Sequence, residues 1–329
     1  MMQLVVHIGA PKCASTTIQN HLKDNARALR QAGILIPDRS TSEVVHRFVR
    51  RECGGADLID AIKRLGREAS GCNKIILSAE GLFQGVGPRE RLIEPFNHLS
   101  KDFDITVILY VRRQDEWLES AWKQWYVKTD KRPFRQWLLE HAERGLPDFY
   151  SAASAWRAAG HSLYVNAVHP PLLHGGDVIV DFCRAAGIPC HDGKRRRANP
   201  IIDARLLGFL HRHNDILFTG AHDNRLYHLL EITGIGAARH GLDGRLLQDE
   251  ERRAILSMFA QQNRGLIREL SPDRHDTAAA YFGIDLPAVP WPDSMATDEG
   301  EPGRIERAAA RTLATIVRFL WRMNRLSHG

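Results

Sequence analysis

The sequence predicts an α/β protein in which helices flank a parallel sheet, followed by a largely helical C-terminal part. Between residues 4 and 168, short and almost wholly apolar runs alternate with segments of helical periodicity. That alternation is typical of a parallel sheet covered on both faces, whose strands are apolar throughout. From residue 201 onward the periodicity is helical almost everywhere. The chain has 329 residues, 43% of them hydrophobic, which is ample material for such a core.

The predicted elements begin with a buried strand over 4–8. The helix after it places Ile18, Leu22 and Leu29 on one face and ends at Gly33. Further strands are predicted at 34–36, 74–78, 104–111 and 162–168. Further helices are predicted at 56–68, from Asp115 onward, at 133–141, 148–160, 177–187, 202–213, 223–232 and 249–270. We therefore predict an α/β core over 1–215 and a helical C-terminal extension over 216–329 that packs on it.

Charge, hydropathy and cysteine content indicate which classes of protein the sequence fits. The net charge is +6 and the pI is about 9.2, which suits an anionic substrate. No run of about 18 uncharged apolar residues is present, and the first residues lack an export leader. The five cysteines are irregularly spaced and match no metal-binding motif. These features predict a cytoplasmic protein with reduced thiols, no metal and no nucleic-acid partner.

The segment "GAPKCASTT" after the first strand has the character of an anion-binding turn. Small residues there expose backbone N–H groups at a helix N-terminus, where the helix dipole favours a negative charge. Lys12 adds a mobile cation, and hydroxyl groups follow it at Ser15, Thr16 and Thr17. The usual ATP-binding loop ends in Gly-Lys-Ser/Thr, whereas this segment reads Pro-Lys-Cys-Ala-Ser-Thr. The difference argues against a magnesium-dependent NTPase.

The same segment resembles the 5′-phosphosulfate-binding loop of sulfotransferases, whose pattern is roughly Pro-Lys-(Ser/Thr/Cys)-Gly-(Ser/Thr)-Thr. Those enzymes use 3′-phosphoadenosine 5′-phosphosulfate (PAPS) as the sulfuryl donor. Ala14 occupies the position where the pattern prefers glycine. The resemblance implies a P-loop-like fold and assigns the donor site to Pro11, Lys12, Cys13, Ala14, Ser15, Thr16 and Thr17.

A second part of the resemblance concerns the 3′-phosphate of the donor. Sulfotransferases bind it with an arginine at a strand end and a serine on the following helix. In "YVRRQDEWLESAW" these positions correspond to Arg112 and Ser120, and an arginine fork suits phosphate geometry. The basic loop 193–200 offers Arg197 and Asn199 as further nucleotide contacts, with a solvated basic loop as the equal alternative. The order of these segments resembles bacterial carbohydrate-type sulfotransferase-like proteins from residue 4 to about residue 215.

The implied reaction is an in-line displacement at sulfur by an acceptor hydroxyl of a carbohydrate, glycan or glycolipid. Charge builds on the leaving phosphate oxygen, so we expect Lys12 to stabilise the transition state. The acceptor proton requires a base. Glu80 follows the strand "KIILSA" and is our preferred candidate, and His46 is the other.

Two other classes of function stay open. A nucleotide-dependent kinase or phosphotransferase with a degenerate loop would need magnesium ligands and an arginine-rich lid, which the sequence does not clearly show. A non-catalytic relative that binds nucleotide or glycan is the second. Trp125, Tyr126, Trp137 and Trp291 are candidates for stacking on a sugar, although tryptophans in helices more often belong to the core.

The basic segment 304–326 is predicted to be an amphipathic helix. Its arginines fall on one face, and Ile305, Ala309, Leu313, Ile316, Leu320 and Met323 fall on another. One interpretation is peripheral contact with an anionic membrane, which would make the cytoplasmic protein membrane-associated. The other, which we favour, is a helix docked on the domain with a solvated basic face.

Overall fold

A computed structural model describes residues 1–84, 88–191, 202–234, 245–292 and 304–326. Its centre is a sheet of five parallel strands in the order β2-β3-β1-β4-β5. The strands run over Met2–His7 (β1), Ile34–Leu35 (β2), Lys74–Ser78 (β3), Phe103–Val111 (β4) and Ser162–Ala167 (β5). The predicted α/β class with a flanked parallel sheet is confirmed, and every predicted strand is present.

The helices follow the strands in regular alternation up to β5. They run over Ser15–Asp24 (α1), Ala26–Gln31 (α2), Arg39–Val49 (α3), Gly55–Glu68 (α4), Gly81–Gln84 (α5), Arg89–Leu99 (α6), Gln114–Gln124 (α7), Phe134–Glu143 (α8), Phe149–Ala158 (α9), Val178–Ala186 (α10), Ala204–Arg212 (α11), Asn214–Leu217 (α12), Arg225–Thr233 (α13), Asp249–Met258 (α14), Ala260–Ile267 (α15), His275–Phe282 (α16) and Arg304–Leu326 (α17). Within these described ranges, no helix combines the length and apolar character needed to cross a bilayer.

Two predicted helices are each divided in the structure. The helix expected to run to Gly33 breaks at Asn25, whose side-chain amide donates to the His21 carbonyl oxygen at 2.9 Å. An amide that bonds the backbone in this way competes with the helical ladder. The predicted helix 249–270 is interrupted at Phe259, between α14 and α15. Gly33 ends α2 as predicted and has a φ of 81°.

The chain divides into two compact units, and each is built from separated segments. The sheet unit comprises residues 1–113, 148–194 and 259–286, and the helical unit comprises residues 114–147, 195–258 and 287–329. This division differs from the predicted split after residue 215. The late segment 259–286 bonds to the sheet and to the chain after it. Arg274 donates to the Tyr164 hydroxyl of β5 at 3.1 Å, and the Tyr281 hydroxyl accepts a hydrogen bond from the Arg113 N–H, just after β4, at 3.1 Å.

The sheet unit is held together on one face by a buried carboxylate. Asp181 of α10 accepts hydrogen bonds from the hydroxyls of Tyr110 and Tyr164, both at 2.7 Å. The Asn166 amide donates to the same carboxylate at 3.0 Å, and Arg274 lies 3.5 Å from it. A buried carboxylate is stable only when its lone pairs are satisfied in this way. The network ties α10 to β4, β5 and the late segment.

In the helical unit, paired charges join α7 to α14. Arg252 reaches Asp115 at 2.9 Å and also bonds Glu119, and both carboxylates are buried. A second buried carboxylate, Glu251, is paired with Arg135 at 2.6 Å. Because each buried charge has a partner of opposite sign, removing one member would leave the other uncompensated.

Helix α17 packs within the helical unit through a face of small residues. Ala310, Ala314 and Val317 are buried, whereas Ile316 and Leu320 are 49% and 44% exposed. Small side chains let the helix approach its neighbours α12 and α13 closely. The larger apolar stripe, predicted from the sequence to be one face of the helix, is therefore exposed at these two positions.

Candidate functional site

The topology of the sheet brings three strand ends to one edge. β1 is the central strand. β2 and β3 lie on one side of it, and β4 and β5, which come later in the chain, lie on the other side. In open parallel sheets, ligands bind at the carboxyl ends of the strands where the order reverses in this way. The Ala79 N–H donates to the His7 carbonyl oxygen at 3.0 Å, and the Ile8 N–H donates to the Ile108 carbonyl oxygen at 3.0 Å. The segments after these strands are therefore neighbours.

The loop after β1 has an unusual backbone. Lys12 and Ala14 both have a φ of 63°, in the left-handed region that residues other than glycine seldom adopt. Pro11 has a negative φ because of its ring, and Cys13 is not among the positive-φ residues. The sign of φ therefore alternates from residue 11 to the start of α1. Alternation of this kind turns successive N–H groups toward one concavity, which is a favourable place for an anion.

Packing holds the loop in this conformation. The Ser15 hydroxyl donates to the Ala10 carbonyl oxygen at 2.9 Å, and the Cys13 N–H donates to the same oxygen at 3.2 Å. The Cys13 side chain is completely buried. A Cβ atom at Gly9 would lie 2.6 Å from the Ser15 Oγ, so only glycine fits at that position. The strained residues are therefore fixed by their surroundings, as is common at functional sites.

Glu80 stands beside this loop. It follows β3 after Ala79 and is half-buried. Burial raises the pKa of its carboxyl group, while a hydrogen bond with the Ser15 side chain and the charge of Lys12 lower it; the net shift is upward. A carboxyl group with a raised pKa is a stronger base than an ordinary carboxylate, so it is chemically able to accept a proton.

Lys12 and Arg112 bring two positive charges to the same edge. Burial lowers the pKa of the Lys12 ammonium, the charge of Arg112 lowers it further, and the Glu80 carboxylate raises it. Arg112 comes directly after β4 and is half-buried. Two cationic groups and one carboxyl group therefore act on one another, with positive charge in excess. Such a group of charges favours an anionic ligand.

His46 lies on the exposed side of α3. The helix approaches the site through Val49, whose side chain fills the space next to Gly81, the residue after Glu80. Residues three apart share a helix face, so His46 and Val49 point to the same side of α3. The structure thus brings the helix of His46 to the site, and Glu80 is among the groups whose charge acts on Lys12.

The remaining predicted residues are placed as follows. Thr16 and Thr17 are exposed in the first turn of α1. Ser120 lies in α7 and belongs to the helical unit, whereas Arg112 belongs to the sheet unit, so their joint contact with one phosphate stays a prediction. Arg197 and Asn199 lie outside the described residues.

His7 packs next to the loop and was not predicted from the sequence as a site residue. His7 is completely buried, and burial lowers its pKa to about 3, so the ring is neutral at physiological pH. Its Nδ1 lies 2.8 Å from the Ser78 Oγ, and its ring packs against Tyr110 and Phe182. A Cβ atom at Gly9 would lie 3.2 Å from its Cε1. The available signal was a polar residue at the end of an otherwise apolar strand.

Comparison with known proteins adds little to this geometry. No protein-family model matches the chain. An uncharacterised protein of Archaeoglobus fulgidus is 28% identical over 173 residues, which cover 50% of this chain and 45% of that protein. The match thus spans less than half of the relative's length, and the relative's description contains no activity.

Proposed function

We propose that the protein is a PAPS-dependent sulfotransferase that acts on a hydroxyl of a carbohydrate, glycan or glycolipid. The observation that carries the proposal is the grouping of Lys12, Arg112 and Glu80 at the carboxyl edge of the sheet, where their charges act on one another. The group combines what sulfuryl transfer needs, namely cations for an anionic donor and a carboxylate for the acceptor proton.

The loop supports the choice of an anionic donor. Its N–H groups and the N-terminus of α1 favour phosphate or sulfate oxygens, and the residues present fit that role. Glycine is preferred in the sulfotransferase pattern at the position of Ala14, and Ala14 has the positive φ that glycine adopts most easily. Ala14 therefore has the backbone conformation that a glycine at this position would favour.

In the proposed reaction, the acceptor oxygen forms a bond to sulfur while the bond from sulfur to the 5′-phosphate oxygen breaks. Glu80 takes the proton of the acceptor hydroxyl, and the leaving oxygen carries away the electron pair of the broken bond. Lys12 stabilises the negative charge on that oxygen, which is greatest in the transition state. Arg112 binds the 3′-phosphate and so holds the donor in line.

A ligand-binding experiment tests the proposal against the kinase alternative. The thermal midpoint of the full chain is measured with 3′-phosphoadenosine 5′-phosphate and, separately, with ATP and magnesium. A ligand at a hundredfold excess over its Kd stabilises the native state by about 2.7 kcal/mol. We expect stabilisation by 3′-phosphoadenosine 5′-phosphate, and none at the same concentration of adenosine 5′-monophosphate, which lacks the 3′-phosphate.

A matched pair of variants locates the binding site. Arg112→Ala should abolish the stabilisation, whereas Arg30→Ala removes an exposed arginine of α2 and should leave it unchanged. Stabilisation by ATP with magnesium alone would favour a kinase. Equal stabilisation of both variants by 3′-phosphoadenosine 5′-phosphate would remove Arg112 from the site.

A further inference from the structure

The helical unit contains a cavity of about 650 Å³. It is lined by the loop 219–225, by His228 of α13 and by Trp321 of α17. None of the residues assigned above to sulfuryl transfer is part of this lining. The cavity is therefore distinct from the proposed sulfuryl-transfer site.

The loop 219–225 is braced from within by Asp223. Its carboxylate accepts hydrogen bonds from the Thr219 N–H and hydroxyl, each at 3.1 Å. The Arg225 guanidinium donates to the same carboxylate at 2.6 and 2.8 Å. The Asp223 side chain is only 5% exposed. The charges of Asp223 and Arg225 thus neutralise each other, and these hydrogen bonds hold the two ends of the loop together without a ligand.

A buried lysine supports the loop from behind. Lys128 is 2% exposed, and its ammonium lies 4.5 Å from the centre of the Tyr227 ring. It donates to the Asn224 Oδ1 at 2.6 Å and to the Ala221 carbonyl oxygen at 3.3 Å. Because an ammonium group has no acceptor, the amide oxygen of Asn224 must face it. The amide nitrogen of this exposed residue is therefore the end that a ligand can reach.

Two rings form the aromatic side of the cavity. The centres of the His228 and Trp321 rings lie 6.0 Å apart, and the ring planes are nearly perpendicular at 85°. Trp321 is half-buried, and His222 and His228 are exposed. The lining therefore presents an indole, two imidazoles and an amide nitrogen around a fixed loop.

We propose that this cavity binds a neutral saccharide unit. The apolar C–H face of a sugar ring matches an indole, and its hydroxyls match the Asn224 amide and the imidazoles. An ionic ligand would have to compete with the ion pair between Asp223 and Arg225, and an acyl chain would bury the polar loop without satisfying it. The volume lies within the range of small-molecule pockets. The inference does not rest on the proposed sulfuryl transfer, since it uses residues of the helical unit alone.

Saturation-transfer difference NMR on the full chain tests this inference. The probes are the methyl glycosides of glucose, galactose, mannose and N-acetylglucosamine, with adenosine as an aromatic competitor. We expect saturation of the ring C–H protons of at least one glycoside. Trp321→Ala should weaken its binding about tenfold or more, which corresponds to about 1.4 kcal/mol or more. Asn224→Asp keeps the oxygen that accepts from Lys128 and removes the amide donor, so it should weaken the binding without loss of folding.

Ile316→Ala is the matched control, because Ile316 is an exposed apolar residue of the same helix as Trp321 and does not line the cavity. It should bind the glycoside like the unmodified protein, and circular dichroism shows whether each variant is folded. Absence of saturation on every glycoside, equal affinity in Asn224→Asp, or preferential binding of adenosine would overturn the inference. Failure here leaves binding of 3′-phosphoadenosine 5′-phosphate unaffected, so the two proposals fail separately.

Discussion

Replacing Ala14 by glycine should make the protein more stable. For a residue that has a Cβ atom, the left-handed backbone conformation is roughly 1–2 kcal/mol less favourable than the right-handed conformation. Ala14 has a φ of 63° and a ψ of 11°, and its side chain is half-buried, so removing the methyl group exposes little apolar area. The added freedom of glycine in the unfolded chain costs about 0.4–1 kcal/mol. With mid-range values of about 1.5 and about 0.7 kcal/mol, the difference is a gain of about 0.8 kcal/mol in the free energy of unfolding.

The assay is the thermal midpoint measured by calorimetry, since about 1 kcal/mol shifts it by roughly 2–4 °C in a domain of about 150–250 residues. Ala28→Gly is the matched control. Ala28 lies within α2, where glycine costs about 1 kcal/mol relative to alanine, so this variant should melt lower. If Ala14→Gly also melts lower, Ala14 does not have a positive φ in the native loop, and the argument for an alternating backbone is wrong.

Other substitutions test the site. Lys12→Ala should lower kcat by about 10²–10³ with little change in donor affinity, because its charge acts in the transition state. Arg112→Ala should weaken the binding of 3′-phosphoadenosine 5′-phosphate about 10- to 100-fold in calorimetric titration, since it removes charge-assisted hydrogen bonds. A base must be deprotonated, so kcat/KM should fall as the pH drops through the raised pKa of Glu80, above the ordinary value of 4.5. Glu80→Gln should lose most turnover and His46→Ala little; the reverse result would make His46 the base. Asp181→Ala should reduce the free energy of unfolding in urea by about 3–5 kcal/mol, because it leaves buried hydroxyl and amide groups unpaired.

The strands and the three residues at their ends could be predicted from the sequence. Each strand is a nearly continuous apolar run, and a parallel sheet brings the carboxyl ends of neighbouring strands together. Lys12, Glu80 and Arg112 lie within a few residues of such ends, so their proximity follows from the topology alone. Ser120 lies in the middle of a helix, and its place depends on packing that no local pattern encodes.

Other features were beyond a local argument. Helix α3 lies in a polar stretch of the sequence, and its buried residues are Thr41, Val45 and Phe48. Its first turn is capped by the Asp38 side chain, which accepts a hydrogen bond from the Thr41 N–H. The buried face of α17 is formed by small residues, whose hydrophobic signal is weaker than that of the larger stripe. Trp137, a predicted stacking residue, is completely buried beside His141 and Tyr126, so it belongs to the core.

The segmented sheet unit has a consequence for biosynthesis. Residues 259–286 emerge from the ribosome long after β5, yet their Tyr281 and Arg274 side chains bond to the backbone after β4 and to the Tyr164 hydroxyl of β5. While the intervening residues 195–258 are translated, the strand edge that carries Arg112 therefore lacks its contacts with residues 259–286. During that interval the surface that Tyr281 and Arg274 later cover is exposed, and incompletely packed surfaces of this kind are prone to aggregation.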